Sequence, residues 1–140
     1  GLMYENPSSI TWQYPIQYAG LHNYSYYNTS FSFMIEGKVI NPRLTLNGKT
    51  FSIDVSLQSD ERLYVDSETE QVWRTKISHD ENGFLTPVMM NQNTQEWHDM
   101  NLYNEVSGSF PQLKQRDNVQ KFEGGQPQAI INFNWQHKFM

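Results

Sequence analysis

Hydrophobic and polar residues alternate over many short segments of the chain, which is the pattern of half-buried β-strands. The alternating segments lie at residues 10–14, 31–36, 44–46, 51–57, 63–65, 71–77 and 131–136. Turn-forming pairs separate several of them, including Asn41-Pro42, Asn47-Gly48, Asn82-Gly83 and Gly124-Gly125. Short strands with a turn about every 8–12 residues are typical of sandwiches and barrels. The pattern therefore predicts an all-β fold, an antiparallel β-sandwich.

The pair Asn47-Gly48 predicts the most specific local structure in the chain. Asn-Gly is the preferred loop of a two-residue type I′ hairpin, in which both central residues have positive φ. In that register Leu44 faces Phe51 and Leu46 faces Lys49. One face of the hairpin then carries the apolar residues Leu44, Leu46, Phe51, Ile53, Val55 and Leu57. A slip by one residue would mix the two faces, so the turn and the pattern support each other.

The length of 140 residues is that of one domain. We expect residues 1–30 to form an N-terminal extension whose first strand or strands pack on, or belong to, the sandwich of residues 31–140. Residues 91–109 have partial helical spacing, and we predict a surface loop with one helical turn there. The chain begins at Gly1, and we expect it to be the C-terminal part of a longer protein.

Composition narrows the class of protein. Aromatic residues make up 14% of the chain and charged residues only 18%, with a mean hydropathy of -0.71. This mixture suits strands with one solvated face and argues against disorder. A net charge of -5 argues against nucleic acid as a partner. The sequence contains no apolar run near the roughly 20 residues of a membrane span, and the absence of cysteine excludes disulfide bonds and thiolate chemistry.

The acidic residues and histidines form no recognisable catalytic or metal-binding motif. Carboxylates occur as Asp60-Glu61, Asp66 to Glu70, and Asp80-Glu81, in turn-like segments where acidic residues commonly serve solvation and capping. The run 66–70 could offer oxygen ligands to calcium, but it lacks the glycine and length of a calcium loop. The four histidines show no zinc spacing. We therefore expect no catalytic residues, no metal and no cofactor.

Aromatic residues leave two interpretations open. Exposed Tyr and Trp on a sheet face can stack on sugar rings, and the candidates for such stacking are Tyr64, Trp73 and Trp97, together with Tyr24, Tyr26 and Tyr27. Aromatic residues also fill sandwich cores and protein interfaces. The second interpretation is the commoner role of such residues, and the sequence alone does not choose between them.

Several motifs in order along the chain resemble the distal tail proteins of siphophages. Residues 31–48 resemble a strand that ends in the element I-x-G-x-x-x-N-P and is followed by a hairpin. Residues 57–66 match the form L-x-x-x-E-x-L-x-(I/V)-D, and residues 110–119 resemble F-x-x-L-x-x-G-x-N. The segment 131–135 is similar to the last strand of that family. The resemblance covers about residues 28–137, and Asp117 stands where we expect a glycine just before Asn118.

The resemblance implies the jelly-roll or galectin-like C-terminal domain of a distal tail protein. In that family the complete protein forms a ring-shaped hub, so the resemblance also implies a homo-oligomer located in the virion and made in the cytoplasm of the bacterial host. Gly37, Asn41 and Pro42 would shape the turn after the first long strand, Asn47 and Gly48 the hairpin, and Asp66 would end its strand.

Two functional hypotheses follow from these patterns. The first is a non-enzymatic structural domain of a phage or prophage tail, which contacts other tail and baseplate proteins. The alternative is a carbohydrate-binding module for polysaccharide on the host surface. An enzyme is a third and weaker hypothesis, because no catalytic constellation supports it.

Overall fold

The computed structural model describes residues 3–4, 8–79, 85–87 and 100–135, which are almost entirely β-strands. The strands are β1 (Met3–Tyr4), β2 (Ser8–Trp12), β3 (Ile16–Asn23), β4 (Thr29–Leu46), β5 (Lys49–Ile53), β6 (Ser56–Leu57), β7 (Glu61–Asp66), β8 (Gln71–His79), β9 (Leu85–Pro87), β10 (Met100–Asn101), β11 (Val106–Gly108), β12 (Gln112–Leu113) and β13 (Arg116–Trp135). A single 3₁₀ turn spans Tyr103–Glu105. No helix in these ranges is long and apolar enough to cross a membrane.

The long strands β4 and β13 belong to both layers of a sandwich. Their outer neighbours define the two sheets. Sheet I consists of β1, β3, residues 116–123 of β13, residues 43–46 of β4, β5 and β11. Sheet II consists of β2, residues 129–135 of β13, residues 31–37 of β4, β7, β8 and β10. All these strand pairs are antiparallel except β1 with β3. The predicted all-β sandwich is confirmed.

The core lies between the two sheets and is rich in aromatic rings. Phe33 of sheet II meets Phe51 of sheet I edge-on at 6.0 Å between ring centroids. Phe122 of sheet I stacks on Phe133 of sheet II at 5.8 Å and also contacts Trp12. Tilted and edge-on pairs of this kind add to the stabilisation that burial alone provides. These contacts therefore fix how the two sheets face each other.

Strands β4 and β13 change sheets at two matched bulges. Between Ile40 and Arg43 strand β4 has one extra residue, and between Gly125 and Gln128 strand β13 has one extra residue. In each bulge a residue with positive φ precedes a buried proline: Asn41 (φ 50) before Pro42, and Gln126 (φ 49) before Pro127. Bulges bend a strand and increase its twist, which is how strands turn the corner between packed sheets.

The prediction of a turn at Gly37, Asn41 and Pro42 is therefore wrong, because β4 continues through all three residues. Asn41 does provide the left-handed backbone, and its N–H donates to the Val55 carbonyl at 2.7 Å. The backbone hydrogen bonds to β13 resume on both sides of the bulge. These residues bend one continuous strand and do not join two strands.

The prediction of a turn at Gly124-Gly125 is also wrong, because both glycines lie within the continuous strand β13. A Cβ on Gly124 would lie 2.6 Å from Cγ2 of Val39 and 3.0 Å from Cζ2 of Trp12. A Cβ on Gly37 would lie 2.5 Å from the carbonyl oxygen of Gln128. Both glycines are needed because they let β4 and β13 pack closely at the crossing, the place where the two strands change sheets.

The Asn47-Gly48 hairpin is confirmed in its register. Leu44 pairs with Phe51 and Leu46 with Lys49, while Asn47 and Gly48 have φ values of 53° and 77°. Every residue of the predicted apolar face is buried. The structure adds a tertiary contact, in which Nδ2 of Asn47 donates to Oδ1 of Asn118 at 2.9 Å.

Residues 114–118 turn without a glycine, and the positive φ lies at Arg116 (φ 66) and not at Asp117. The expected position was therefore wrong by one residue, since the spacing F-x-x-L-x-x-G-x-N itself places the glycine at Arg116. Asn118 is buried and holds this turn through its carboxamide. Its Oδ1 accepts from the Lys114 N–H at 2.9 Å, and its Nδ2 donates to the Lys114 carbonyl at 3.0 Å. Hydrogen bonds from a buried amide thus maintain the conformation for which we expect a glycine.

The structure also shows where the first strand, β7 and the predicted helical turn begin or end. The first predicted strand ends at Trp12, so Tyr14 lies beyond it and is exposed. Asp66 ends β7, and residues 67–70 form the turn before β8. One helical turn occurs within 91–109, at Tyr103–Glu105, while residues 91–99 and Asn82-Gly83 lie outside the described residues. Within residues 1–30, β2 and β3 pair with β13 in sheets II and I.

Candidate functional site

The outer face of sheet I carries a cluster of exposed apolar side chains, Ile16, Tyr18 and Val119, which we call the sheet I patch. Their exposed fractions are 55%, 63% and 63%. The register places them together, because Val119 pairs with Gly20, two residues from Tyr18 on the same face of β3. Gly20 has no side chain to separate them. Exposed apolar residues that adjoin one another are more informative than scattered ones.

Charged and polar side chains share the outer face of sheet I with the patch, because Lys121 pairs with Tyr18 and Glu123 pairs with Ile16. Nζ of Lys121 lies 3.6 Å from Oε1 of Glu123, and Nδ1 of His22 lies 2.6 Å from Oδ1 of Asp117. The His22 ring also meets the exposed Tyr24 ring edge-on at 4.3 Å. The patch is therefore a small apolar area with polar and charged side chains directly beside it, and protein–protein interfaces combine the two kinds of surface in this way.

The strand under the sheet I patch has an inverted pattern. Asn118 and Gln120 point into the sandwich and are buried, whereas Val119 between them points to solvent. On β3, Asn23 is likewise buried while Ile16 and Tyr18 are exposed. Turning β13 over would bury Asp117, Lys121 and Glu123, so the inversion on this strand is confined to Asn118-Val119-Gln120, and a role for this face in binding would explain it. We did not predict these residues from the sequence, although the run Asn118-Val119-Gln120-Lys121-Phe122 contains the signal.

Gln120 shows the energetic disadvantage of the inversion most clearly. The residue is 0% exposed, and within the described part of the chain its Oε1 and Nε2 have no hydrogen-bond partner. A buried polar group in that state costs about 1–3 kcal/mol. Its register partners are the apolar Ala19 and Leu46.

The outer face of sheet II carries a second cluster, which we call the aromatic row: Met34, Tyr64 and Trp73. These residues pair directly across β4, β7 and β8, with Met34 opposite Tyr64 and Tyr64 opposite Trp73. Tyr64 is 42% exposed, and Trp73 is partly exposed. Two of the six aromatic residues predicted to stack on a ligand, Tyr64 and Trp73, therefore lie side by side. Tyr24, Tyr26 and Tyr27 are exposed between β3 and β4, away from this row, and Trp97 lies outside the described residues.

Polar side chains flank the aromatic row. Nη2 of Arg62 donates to Oε1 of Glu36 at 3.2 Å in the next row of the same face. Beneath it, the buried Glu61 accepts from the Gln58 N–H at 2.9 Å and contacts Nε of Arg74 at 3.3 Å. Aromatic surface beside hydrogen-bonding groups can bind a polyhydroxylated ligand.

The predicted structural residues lie away from both outer faces. Gly37, Asn41 and Pro42 lie at the crossing of the long strands, and Asn47 with Gly48 lies at the hairpin tip. Asp66 serves the turn, since its Oδ1 accepts from the Glu68 N–H at 3.0 Å. Among the residues whose positions are described, no group of three or more His, Cys, Asp or Glu could hold a metal ion. Asp80-Glu81, His98 and His137 lie outside them.

Comparisons with known proteins gave no match: no family model, curated protein or solved structure is similar to this chain. The distal tail resemblance thus rests on the motifs quoted above. The surfaces described here supply independent observations on function.

Replacing Gln120 by leucine tests the inverted pattern. We expect Gln120→Leu to raise the free energy of unfolding by about 1–2 kcal/mol, because it removes unpaired buried polar atoms at nearly constant volume. The matched control is Gln128→Leu at an exposed position of the same strand, where we expect a change within about 0.5 kcal/mol. Urea denaturation followed by tryptophan fluorescence measures both. A Gln120→Leu variant less stable than the wild type would contradict this account.

Proposed function

We propose that this chain is a non-enzymatic structural domain of a phage or prophage tail, of the distal tail and baseplate kind, and that it contacts other tail proteins. The sheet I patch is the observation that carries the proposal. Its exposed apolar side chains, with polar and charged side chains directly beside them, suit a protein partner. The ordered motifs from residue 31 to residue 135 supply the kind of assembly.

The energetics of the sheet I patch support the same proposal. Ile16, Tyr18 and Val119 expose surface whose burial releases roughly 25 cal/mol per Å². Lys121 lies beside Glu123, so a docking protein need not provide a compensating charge for either side chain. Tyr18 offers a rigid aromatic anchor, the residue type that is enriched where interface energy concentrates. In the proposed assembly the domain is galectin-like in topology, lies in the virion and belongs to a homo-oligomeric hub.

Charge substitution in the sheet I patch tests this proposal. We expect the protein to form a complex with the tail proteins encoded beside it, and Tyr18→Glu or Val119→Glu to weaken that complex at least about tenfold, since each buries an unpaired carboxylate. Size-exclusion chromatography with light scattering measures the complex, and circular dichroism checks the fold of each variant.

Tyr64→Glu, an equally drastic change on the opposite sheet, is the matched control and should leave the complex intact. Two results would refute the proposal: no complex with any neighbouring tail protein, or equal loss in the Tyr64 and Tyr18 variants.

Carbohydrate binding is the second candidate function, and the aromatic row favours it. The direct pairing of Tyr64 with Trp73 creates a platform two strands wide, with the Arg62–Glu36 pair beside it. Adjacent strands are about 4.8 Å apart, which is close to the length of one sugar unit. A polysaccharide lying across the strands could place successive rings on successive side chains.

A glycan array made from host-surface polysaccharides, followed by calorimetry, tests the second candidate. We expect binding in the millimolar to micromolar range, and Trp73→Ala to weaken it about tenfold or more because stacking is lost. Tyr18→Ala on sheet I is the control and should bind normally. An array without any hit at millimolar protein concentration would reject this candidate.

A further inference from the structure

A separate cleft lies at one end of the sandwich, between the tip of the β4–β5 hairpin, the β7–β8 turn and the segment that leads through β11. It has a volume of about 340 Å³. Its walls include Lys49, Glu70, Tyr103, Ser109, Phe110 and Gln112. None of these residues belongs to the sheet I patch or to the aromatic row. The volume is near the lower end of the range for small-molecule sites.

A ladder of aromatic rings holds one wall of the cleft in place. Phe51, which is buried, contacts Phe110 at 5.2 Å, and Phe110 stacks on Tyr103 at 6.3 Å with an interplanar angle of 17°. The outermost ring, Tyr103, is 52% exposed. The ladder thus runs from the core to solvent and presents an anchored ring at the rim. An anchored ring loses little freedom when a ligand stacks on it.

The backbone beside this wall is equally constrained. Gly108 has φ +86, and a Cβ there would lie 2.0 Å from the Thr50 carbonyl oxygen. The next residue, Ser109, donates its N–H to the same carbonyl at 2.9 Å. The segment 108–110 is therefore held firmly against β5, and the cleft is a preformed feature of the fold.

Two residues of opposite charge line the cleft. Lys49 and Glu70 both line it, and neither forms an ion pair within the part of the chain that the structure describes. Glu70 has a φ of 55°, an uncommon conformation for this residue type that often marks a functional position. The cleft thus offers a hydrogen-bond donor and a strong acceptor, with the Ser109 hydroxyl and the Gln112 amide in addition.

The charged and polar groups that line the cleft suit some classes of ligand better than others. A phosphate or other anion would meet Lys49 but also the Glu70 carboxylate, which repels it. A purely apolar ligand would leave both charges desolvated without partners. Hydroxyl groups both donate and accept, so a polyol satisfies the ammonium and the carboxylate together. A small zwitterion such as glycine could bond to both charges but has no apolar face for the exposed Tyr103 ring, whereas a sugar ring has one.

We propose that this cleft binds a single neutral pyranose unit, with Tyr103 stacking on the ring and Glu70 and Lys49 bonding to its hydroxyl groups. The proposal goes beyond the function proposed above, since it concerns neither the tail-protein contact nor the aromatic row. A terminal or branching sugar of a larger glycan would fit the site as well as a free one.

Titration monitored by ¹H–¹⁵N NMR tests the proposal on the whole chain. The probes are methyl β-glucopyranoside and methyl β-galactopyranoside, with glycine as a zwitterion and inorganic phosphate as an anion. We expect at least one glycoside to shift the amide signals of residues 103–110 with millimolar affinity, and glycine and phosphate to leave them unchanged. Tyr103→Ala and Glu70→Gln should each weaken that binding about tenfold.

Matched variants separate this site from the others. Tyr18→Ala removes an equally exposed ring on sheet I, and Trp73→Ala removes the aromatic row, so both should retain the shifts at residues 103–110. Tyr103→Phe keeps the stacking ring and should also bind, which excludes unfolding as the cause of loss in Tyr103→Ala. No shift with either glycoside, glycine or phosphate binding in their place, or equal binding by Tyr103→Ala would overturn the proposal.

Discussion

The close crossing of β4 and β13 is the constraint on which the rest of this fold depends. Gly124 lets β13 pack against Val39 and Trp12, where even a methyl group would lie 2.6 Å from Cγ2 of Val39. The two matched bulges at Asn41 and Gln126 then carry β4 from sheet II into sheet I and β13 from sheet I into sheet II. Because each sheet is built outward from the same pair of strands, the crossing also determines where both outer faces lie.

The outer faces of sheet I and sheet II differ in what they can bind. The difference originates in which residues of β13 are buried and which are exposed in each sheet. On residues 116–123 of β13 the amide of Gln120 is buried without a hydrogen-bond partner in the described part of the chain while Val119 is exposed, so this half of the strand is less stable than an apolar residue at position 120 would make it. On residues 129–135 the buried positions are apolar, with Ile131, Phe133 and Trp135 facing the core and Ile130 exposed. The inversion therefore distinguishes the sheet I patch as a binding surface, whereas the aromatic row of sheet II needs only its exposed rings.

Local features of the fold were predictable from the sequence, and the crossing was not. The Asn47-Gly48 hairpin can be predicted from its two turn residues and from the alternation of apolar and polar residues in the strands on either side. All these determinants lie within fifteen positions of the sequence. Gly124-Gly125 has the composition of a turn, and its true role depends on Val39 and Trp12, which are distant in sequence. The side-by-side placement of Tyr64 and Trp73 depends on the length of the turn after Asp66, and the sheet I patch on which face of β3 points inward. Sequence periodicity alone leaves that last choice open where polar residues are buried.

The function that we propose requires the sheet I patch to be covered by a tail protein in the assembled particle. Hydroxyl-radical footprinting of the free protein and of the assembled tail measures this directly, because it reports the solvent access of individual side chains. We expect Ile16 and Tyr18 to react in the free protein and to become protected in the tail. Tyr14, which is exposed outside the patch, should react in both. Equal reactivity of Tyr18 in the free protein and in the tail would contradict the account.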